Sequence, residues 1–257
     1  MPIQSVRRAI AILREFSVDE PELGVTELSE RLGLHKSTVH RLLTSLLRGG
    51  LVRRVPTSRK YRLGIGLTEL GYTAIHNQAL LQVAHPYVHY LADALGESAS
   101  LAVRDGDETL IVLQARSPDL RASVRWVARA PLYCTSTGRI FLAHMPEKEL
   151  SRFLEKELAP RTPMTITDPV ELRAELERVR EEGFATSFEE YEEGTNSVAV
   201  PIRRPDGTVI AALGAAGYSY SFTREKAMKA LEIMRGIAID VSHKLATLPP
   251  EEIDLFS

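Results

Sequence analysis

The chain has 257 residues, of which 44% are hydrophobic and 26% are charged. This length suits two ordinary domains, and the composition excludes a disordered chain, a collagen and a disulfide-rich scaffold. The single cysteine, Cys134, forms no internal bridge, which favours a reducing compartment. The first residues lack the apolar core of a secretory signal and no apolar run reaches the ~20 residues of a membrane span, so we expect a soluble, cytoplasmic protein that does not bind membranes.

The net charge of −2 conceals an asymmetry along the chain. Residues 1–64 contain 12 basic and 6 acidic residues, a net charge of +6, whereas the rest of the chain contains 20 basic and 28 acidic residues, a net charge of −8. A basic head on an acidic body suggests that only the head meets a polyanion. Two differently charged solvated surfaces would give the same counts.

The basic head has the pattern of a helix-turn-helix. Residues 6–17 predict a first helix with this apolar stripe turned inward: Val6, Ala9, Ile10, Leu13 and Phe16. A short second helix, with Thr26 as its N-cap, ends at Gly33, and a longer third helix runs from Lys36 to Gly49-Gly50. A short helix, a glycine turn and a longer helix form this motif.

The outer face of the third helix carries donors and short polar groups: Lys36, Ser37, Thr38, His40, Arg41, Thr44 and Arg48. These side chains can reach base edges and phosphates from the major groove of duplex DNA. An ordinary solvated helix usually mixes Glu with Lys, but no acid lies between Lys36 and Arg48. Residues 51–55 and 61–63 then predict two short strands, and we expect Arg59 and Lys60, in the turn between them, to contact phosphate or the minor groove.

The chain resembles the IclR (isocitrate lyase regulator) family of bacterial transcription regulators. The resemblance rests on LGLHKSTVHRLLTSLLRGGLVRR and RKYRLGIGLTELG in the head, and on APLYCTSTGRIFLA, GFATSFEEYEEGTNSVAVPI and a PDG turn in the body. It implies a winged helix-turn-helix over 1–64, a linker helix over 65–79 and a GAF-like effector domain over 80–257. It also implies dimers or dimers of dimers on partly palindromic operators.

The body pattern predicts an α+β domain, with hairpin strands flanked by helices. Strands are expected at 98–104, 109–116, 124–127, 197–203 and 209–216. Helices are expected at 80–95, 139–144, 146–158, 170–182 and 223–248.

An effector pocket is the preferred hypothesis for the body. Residues 135–138 offer hydroxyls and backbone N–H groups at a helix start, which suits a carboxylate, although the hydroxyls alone would be explained as helix and turn caps. The resemblance implies that a small organic acid is held by Ser136 and Thr137, by Ser187 and Ser197, and by the strand that here carries Gly214, Ala215 and Ala216. These small residues and Trp126 suggest a less hydrophilic effector, such as an aromatic or longer-chain acid.

The sequence offers weaker signals for catalysis. His85 and His89 have metal-ligand spacing without a third ligand, and Cys134 is more often a packed side chain than a nucleophile. A solvated charge run is expected for Glu189, Glu190, Glu192 and Glu193. No nucleotide-binding loop or nucleophile elbow is present, so we expect neither a cofactor nor a metal. The alternatives that stay open are an enzyme with a hydrolase-like or thiol-dependent site at Cys134, and an architectural DNA-binding protein without a ligand.

Overall fold

The computed structural model describes residues 3–17, 19–118 and 128–249. The chain divides into two compact units, residues 1–77 and 78–257. The strand predicted at 124–127, with Trp126, lies outside the described residues. Within the described part of the chain, no helix combines the length and apolarity that crossing a membrane requires.

The first unit is a winged helix-turn-helix. Its elements are α1 (Gln4–Arg14), α2 (Val25–Leu32), α3 (Lys36–Arg48), β1 (Val52–Arg54), β2 (Tyr61–Leu63) and α4 (Gly66–His76). Strands β1 and β2 pair antiparallel with Val52 opposite Leu63, and Leu23 forms a bridge to Tyr61 on the other side of β2. The core consists of Ile12, Phe16, Leu23, Leu28, Val39, Leu43, Leu46, Val52 and Tyr61.

Helix α2 begins at Val25, two residues earlier than an N-cap at Thr26 would place its start. Gly24 is its N-cap, and its backbone N–H donates to Oε2 of Glu27 at 2.6 Å. The prediction of Thr26 as N-cap is therefore wrong, because Glu27 satisfies the exposed backbone donor from the third helical position. At the other end, Gly33 has φ +61° and ends the helix as predicted.

The inward stripe predicted for α1 is partly wrong. Val6 and Ile10 are 54% and 46% exposed, whereas Ile12 and Phe16 are buried. Helix α1 carries apolar residues on two sides, and periodicity alone does not tell which side packs against α3. The outer side, with Ile3, Val6 and Ile10, has no packing partner within the described residues.

The second unit is a six-stranded antiparallel sheet with helices on both faces. Its helices are α5 (Ala79–Leu95), α6 (Ser136–Ala143), α7 (Glu147–Leu154), α8 (Pro169–Glu182) and α9 (Arg224–Ala246). Its strands are β3 (Ser98–Asp105), β4 (Glu108–Arg116), β5 (Arg129–Pro131), β6 (Ala185–Phe188), β7 (Thr195–Arg203) and β8 (Val209–Tyr218), in the spatial order β5-β4-β3-β8-β7-β6. The α+β prediction is confirmed.

The two faces of the sheet have different cores. Leu101, Val200 and Leu213 pack with α5 and α9, whereas the smaller Ala102, Ala199 and Ala212 pack with α6, α7 and α8. This division follows from the alternation of side chains along each strand. The face toward α6 therefore carries mainly small residues, which leaves room for a cavity.

Several boundaries differ from the prediction. Helix α6 begins at Ser136 and not at Arg139, because the Thr135 side chain caps it by accepting the Gly138 N–H at 3.1 Å. Helix α7 ends at Leu154 and not at residue 158, and the linker helix ends at His76, before α5 starts at Ala79. Strands β5 and β6, of three and four residues, were not predicted because such short segments show little alternation.

Candidate functional sites

The residues predicted to contact DNA from the third helix lie on the solvent-accessible face of α3. Lys36, Ser37, His40, Arg41 and Arg48 are exposed, and Thr38 and Thr44 are half-buried. The Thr44 hydroxyl donates to the carbonyl of His40 at 2.8 Å. Lys36, Arg41 and Arg48 make no ion pair within the described residues, so their charges are available to an external anion.

Helix α1 extends this surface. An open cleft is lined by Gln4, Ser5 and Arg8 of α1 and by Thr38, His40, Arg41, Leu42, Thr44, Ser45 and Arg48 of α3. No acid lines the cleft, and Arg8 makes no ion pair among the described residues. Sequence reasoning missed Arg8, although its position off the apolar stripe of α1 was visible.

The two basic residues of the wing turn differ. Arg59 is exposed and has no acidic partner in the described part of the chain. The Lys60 ammonium lies 2.7 Å from Oε1 of Glu27, and this hydrogen bond, with that from the Gly24 N–H, lowers the pKa of Glu27. Lys60 must therefore leave or share its intramolecular partner in order to bind phosphate.

The body contains a cavity of about 110 Å³ between α6 and the sheet. This volume far exceeds the ~15 Å³ that one water molecule needs, so the cavity can hold an organic molecule. Its walls come from α6 and the residue before it, from all six strands of the sheet, and from the segment between β6 and β7. The lining residues are Ser98, Ala99, Ser100, Thr109, Ile111, Gln114, Ala130, Thr135, Ser136, Thr137, Ser187, Tyr191, Glu192, Thr195, Asn196, Ser197, Gly214, Ala215 and Ala216.

The first turn of α6 presents hydrogen-bond donors to this cavity. The Thr135 hydroxyl accepts a hydrogen bond from the N–H of Gly138. The N–H groups of Ser136 and Thr137 have no acceptor within the described residues. Such free N–H groups at a helix N-terminus favour an anion. The Ser136 hydroxyl donates to Oγ of Ser197 at 2.8 Å, so two of the predicted site residues are in direct contact.

The other predicted cavity residues have more limited roles. The Ser187 hydroxyl donates to the carbonyl of Cys134 at 2.8 Å and is thereby held in place. Gly214 lies beneath α6: a Cβ atom there would be 2.9 Å from Cγ2 of Thr137 and 3.1 Å from Oγ of Ser100. Ala216 lines the cavity on the same strand, β8. Trp126 lies outside the described residues.

Sequence reasoning missed several polar lining residues, among them Ser98, Ser100, Thr109, Gln114 and Asn196. Ser98 and Ser100 are two residues apart on β3 and therefore lie on the same face of the sheet. Two small polar residues at this spacing could have indicated from the sequence that this face lines a polar cavity. Asn196 is buried, and its amide donates to the carbonyl of Phe222 at 2.9 Å.

The acidic run is not uniformly solvated. Glu190 is buried and forms a two-pronged ion pair with Arg139 of α6, in which Nη1 lies 2.8 Å from Oε1. Arg139 also donates from Nε to the carbonyl of Tyr133 at 2.9 Å. The expectation of a solvated run is therefore wrong for Glu190, which ties the segment bordering the cavity to the helix that begins at it.

Cys134 lacks the surroundings of a nucleophile. It is buried, and burial raises the pKa of its thiol to about 12. A nucleophilic cysteine needs a lowered pKa and access to substrate. The exposed rings of His85 and His89 have centroids 4.6 Å apart, but no group of three His, Cys, Asp or Glu suited to a metal ion exists among the described residues.

Comparison with known proteins gives consistent matches over both units. Residues 5–56 match the IclR helix-turn-helix domain, and residues 72–243 match the family described as bacterial transcriptional regulator IclR C-terminal. The HTH-type transcriptional regulator XynR of Escherichia coli is 35% identical over 83% of this chain and 86% of its own length. The Pca regulon regulatory protein of Pseudomonas putida is 31% identical over 94% of this chain and 84% of its own length.

Solved structures show the same fold. An IclR transcriptional regulator from Alicyclobacillus acidocaldarius has a TM-score of 0.86 and 30% identity, covering 95% of this chain and 99% of that one. An IclR homologue from Microbacterium hydrocarbonoxydans, crystallised with 4-hydroxybenzoate, has a TM-score of 0.82 and 29% identity, covering 95% of this chain and all of that one.

Proposed function

Because the chain belongs to the IclR family of bacterial transcription regulators, it is a DNA-binding regulator with an effector-binding body, and we propose that its effector is an aromatic monocarboxylate bound in the body cavity. The observation that carries this proposal is the first turn of α6, where Ser136 and Thr137 line a cavity rich in hydroxyls and their N–H groups have no acceptor among the described residues. These donors and the helix dipole stabilise one carboxylate.

The floor of the cavity supports an apolar ring on the acid. Gly214 and Ala216 of β8, with Ile111 of β4, give the α6 side of the cavity floor a surface of carbon atoms. A flat ring can lie on such a surface and lose its contact with water, which is favourable. The structural relative crystallised with 4-hydroxybenzoate supports the same class of ligand. Ser136, Thr137, Ser187, Ser197, Gly214 and Ala216 are the proposed effector-binding residues.

For DNA binding we propose that α3 enters the major groove. Arg41 and His40 read base edges, Lys36 and Ser37 contact the groove near the start of the helix, and Thr38 and Thr44 add contacts at its sides. Arg59 in the wing and Arg8 of α1 contact phosphates. Lys60 is retained as a phosphate contact that exchanges its Glu27 partner for DNA.

We also propose that the body binds its acid without turning it over. The buried Cys134 thiol, with a pKa of about 12, does not supply a nucleophile, and it is absent from the cavity lining. The names of the related regulators agree with this proposal. The cytoplasm, where the DNA is, is the proposed location.

Regulation then takes the form of a coupling free energy between acid and DNA. An acid that prefers one arrangement of the body shifts the population of the head arrangement that fits the operator. A single winged head buries only ~600–1,000 Å² on DNA, so selective binding requires at least two heads. We therefore propose a homodimer as the minimal regulatory unit, with a dimer of dimers as its extension.

The test separates acid binding from DNA binding. We expect 4-hydroxybenzoate at millimolar concentration to raise the Tm of the wild-type chain, because a ligand bound only to the folded state stabilises it. Ser136→Phe fills the cavity and should abolish that shift, while salt-sensitive binding to a duplex in a gel-shift titration is retained. A cooperative unfolding transition near the wild-type Tm shows that the body of the variant, which is a separate compact unit from the DNA-binding head, is folded.

Ala216→Leu, which blocks the same cavity from the β8 side, is the second variant if Ser136→Phe fails to fold. A normal Tm shift in a folded blocking variant would remove the cavity as the acid site. A wild-type chain that binds duplex DNA but is stabilised by no aromatic or aliphatic acid would instead favour the architectural alternative.

A further inference from the structure

Three hydroxyls and one methyl group form a row across the sheet beneath α6. Ser187 lies opposite Ser197, Ser197 opposite Ala216, and Ala216 opposite Ser98, on the neighbouring strands β6, β7, β8 and β3. Directly opposed residues of antiparallel strands project to the same face of a sheet. All four residues line the cavity.

The hydroxyls of this row differ in their hydrogen bonds. Ser187 donates to the carbonyl of Cys134, and Ser197 accepts from Ser136. The Ser98 side-chain oxygen is buried and has no partner within the described residues, although Ser98 and Ser187 are equally buried, at 3% exposure. A buried hydroxyl without a partner is unfavourable for folding, so its retention points to a partner from outside the chain.

We propose that Ser98 binds a second polar group of the effector, at the end opposite the carboxylate. This inference rests on the proposed acid site at the start of α6. Neighbouring strands lie ~4.8 Å apart, so Ser98 stands about 10 Å from Ser197, two strands away, with Ala216 between them. An acid of two or three carbons reaches one end only, whereas a ring over Ala216 with substituents at opposite positions reaches both.

The charge of the cavity lining indicates whether the polar group of the effector at Ser98 is charged or neutral. No Lys, Arg or His lies among the described lining residues, and Glu192 is exposed at the rim. A second carboxylate at Ser98 would be desolvated with no cation to pair with among the described lining residues, which is costly. The effector is therefore a ring monocarboxylate whose far substituent is an uncharged hydrogen-bonding group, such as a hydroxyl.

The first test needs no ligand. Ser98→Ala removes a hydroxyl without an internal partner, so its Tm in the ligand-free protein should equal or exceed that of the wild type. The matched variant Ser187→Ala removes an equally buried hydroxyl that holds the Cys134 carbonyl, so its Tm should fall. A fall in Tm for Ser98→Ala as large as that for Ser187→Ala would show a structural hydroxyl and overturn the proposal.

The second test uses three ring acids in calorimetric titrations: benzoate, 4-hydroxybenzoate and benzene-1,4-dicarboxylate. Wild-type protein should bind 4-hydroxybenzoate more tightly than benzoate, and the dicarboxylate most weakly. Ser98→Ala should lower the affinity for 4-hydroxybenzoate about tenfold, to the affinity for benzoate, because one neutral hydrogen bond is lost. The affinity for benzoate should change less than about twofold.

The outcomes distinguish the two proposals. Equal affinities of wild type and Ser98→Ala for 4-hydroxybenzoate would overturn the role of Ser98 and leave the acid site intact. Failure of the wild type to bind any of the three acids would contradict the aromatic effector itself, and with it the inference about Ser98.

Discussion

Burial decides the chemistry of Cys134. An ordinary cysteine thiol has a pKa of about 8.5, so a large share of it is thiolate at pH 8. In the folded chain, burial raises the pKa to about 12, and roughly one molecule in 10⁴ carries a thiolate at that pH. The folded-state pKa lies above the unfolded one, so the contribution of the thiol to stability is complete below the unfolded pKa and is lost as the pH rises toward 12.

This burial predicts slow alkylation. Native protein at pH 8 should react with iodoacetamide far more slowly than protein unfolded in urea, measured as mass added at Cys134, because the thiolate is the reactive form. Cys134→Ser should keep the Tm shift with 4-hydroxybenzoate. Rapid, stoichiometric labelling of Cys134 in the native chain would instead support the alternative of an enzyme with a thiol-dependent site at this residue.

Helix α1 shows how one element serves two surfaces. Its inner residue Ile12 joins the head core, its outer residues Val6 and Ile10 are exposed, and Arg8 lies in the cleft beside α3. Arg14, six residues along the helix, lies on the side of the exposed apolar residues. The two arginines therefore have the same side chain on the same helix, but only Arg8 lies in the cleft beside α3, so substitutions at the two positions can be compared directly.

Arg8→Ala should weaken binding to a random-sequence duplex and to a selected operator by similar factors. It should also lower the slope of log affinity against log salt by about 0.9, because one phosphate contact is lost.

Arg41→Ala should reduce the binding free energy for the operator by ~1–3 kcal/mol and relax the sequence preference of the protein. Gel-shift titrations at several salt concentrations measure both effects.

Arg14→Ala serves as the control, and its salt slope should equal that of the wild type. An unchanged slope for Arg8→Ala would confine the DNA contact to α3 and the wing. An unchanged sequence preference for Arg41→Ala would remove its role in reading bases.

The elements differ in how far the sequence determined them. The boundaries of α3 followed from its apolar spacing, and Pro205-Asp206-Gly207 marked the hairpin of β7 and β8. The start of α6 was misplaced because the Thr135 cap resembles a polar loop in sequence. The burial of Glu190 depends on Arg139, 51 residues away, and no local pattern reports that contact.

At the scale of the whole molecule, we expect the exposed apolar side of α1, with Ile3, Val6 and Ile10, to take part in the proposed homodimer. We expect the intact chain to sediment as a dimer at micromolar concentration. Ile10→Glu should weaken binding to the selected operator, while its free energy of unfolding changes by no more than about 0.5 kcal/mol because Ile10 is exposed.

The same substitution at Val170, an exposed residue of α8 in the body, is the control and should leave operator binding unchanged. A wild-type chain that sediments as a monomer would contradict the proposed dimer. Full operator affinity of Ile10→Glu would place the assembly surface elsewhere.

The organisation of the whole molecule was largely predictable, because motifs in both halves carried the family resemblance and the charge asymmetry separated head from body. The composition of the cavity was less predictable. Ser98 and Ser197 are 99 positions apart in the sequence, and only the strand order β3-β8-β7 brings them onto one face.

Two glycines at the cavity, Gly214 in its wall and Gly138 in the adjoining first turn of α6, bear on the engineering of metabolite biosensors. A side chain at Gly138 would collide with the backbone of Leu132, which has nowhere to move, whereas one at Gly214 would meet the side chains of Thr137 and Ser100. Libraries intended to change the detected compound should therefore randomise position 214, where the nearest atoms belong to side chains, together with the lining position 216, and keep Gly138 constant. Diversity spent on position 138 would yield mostly clones that do not fold.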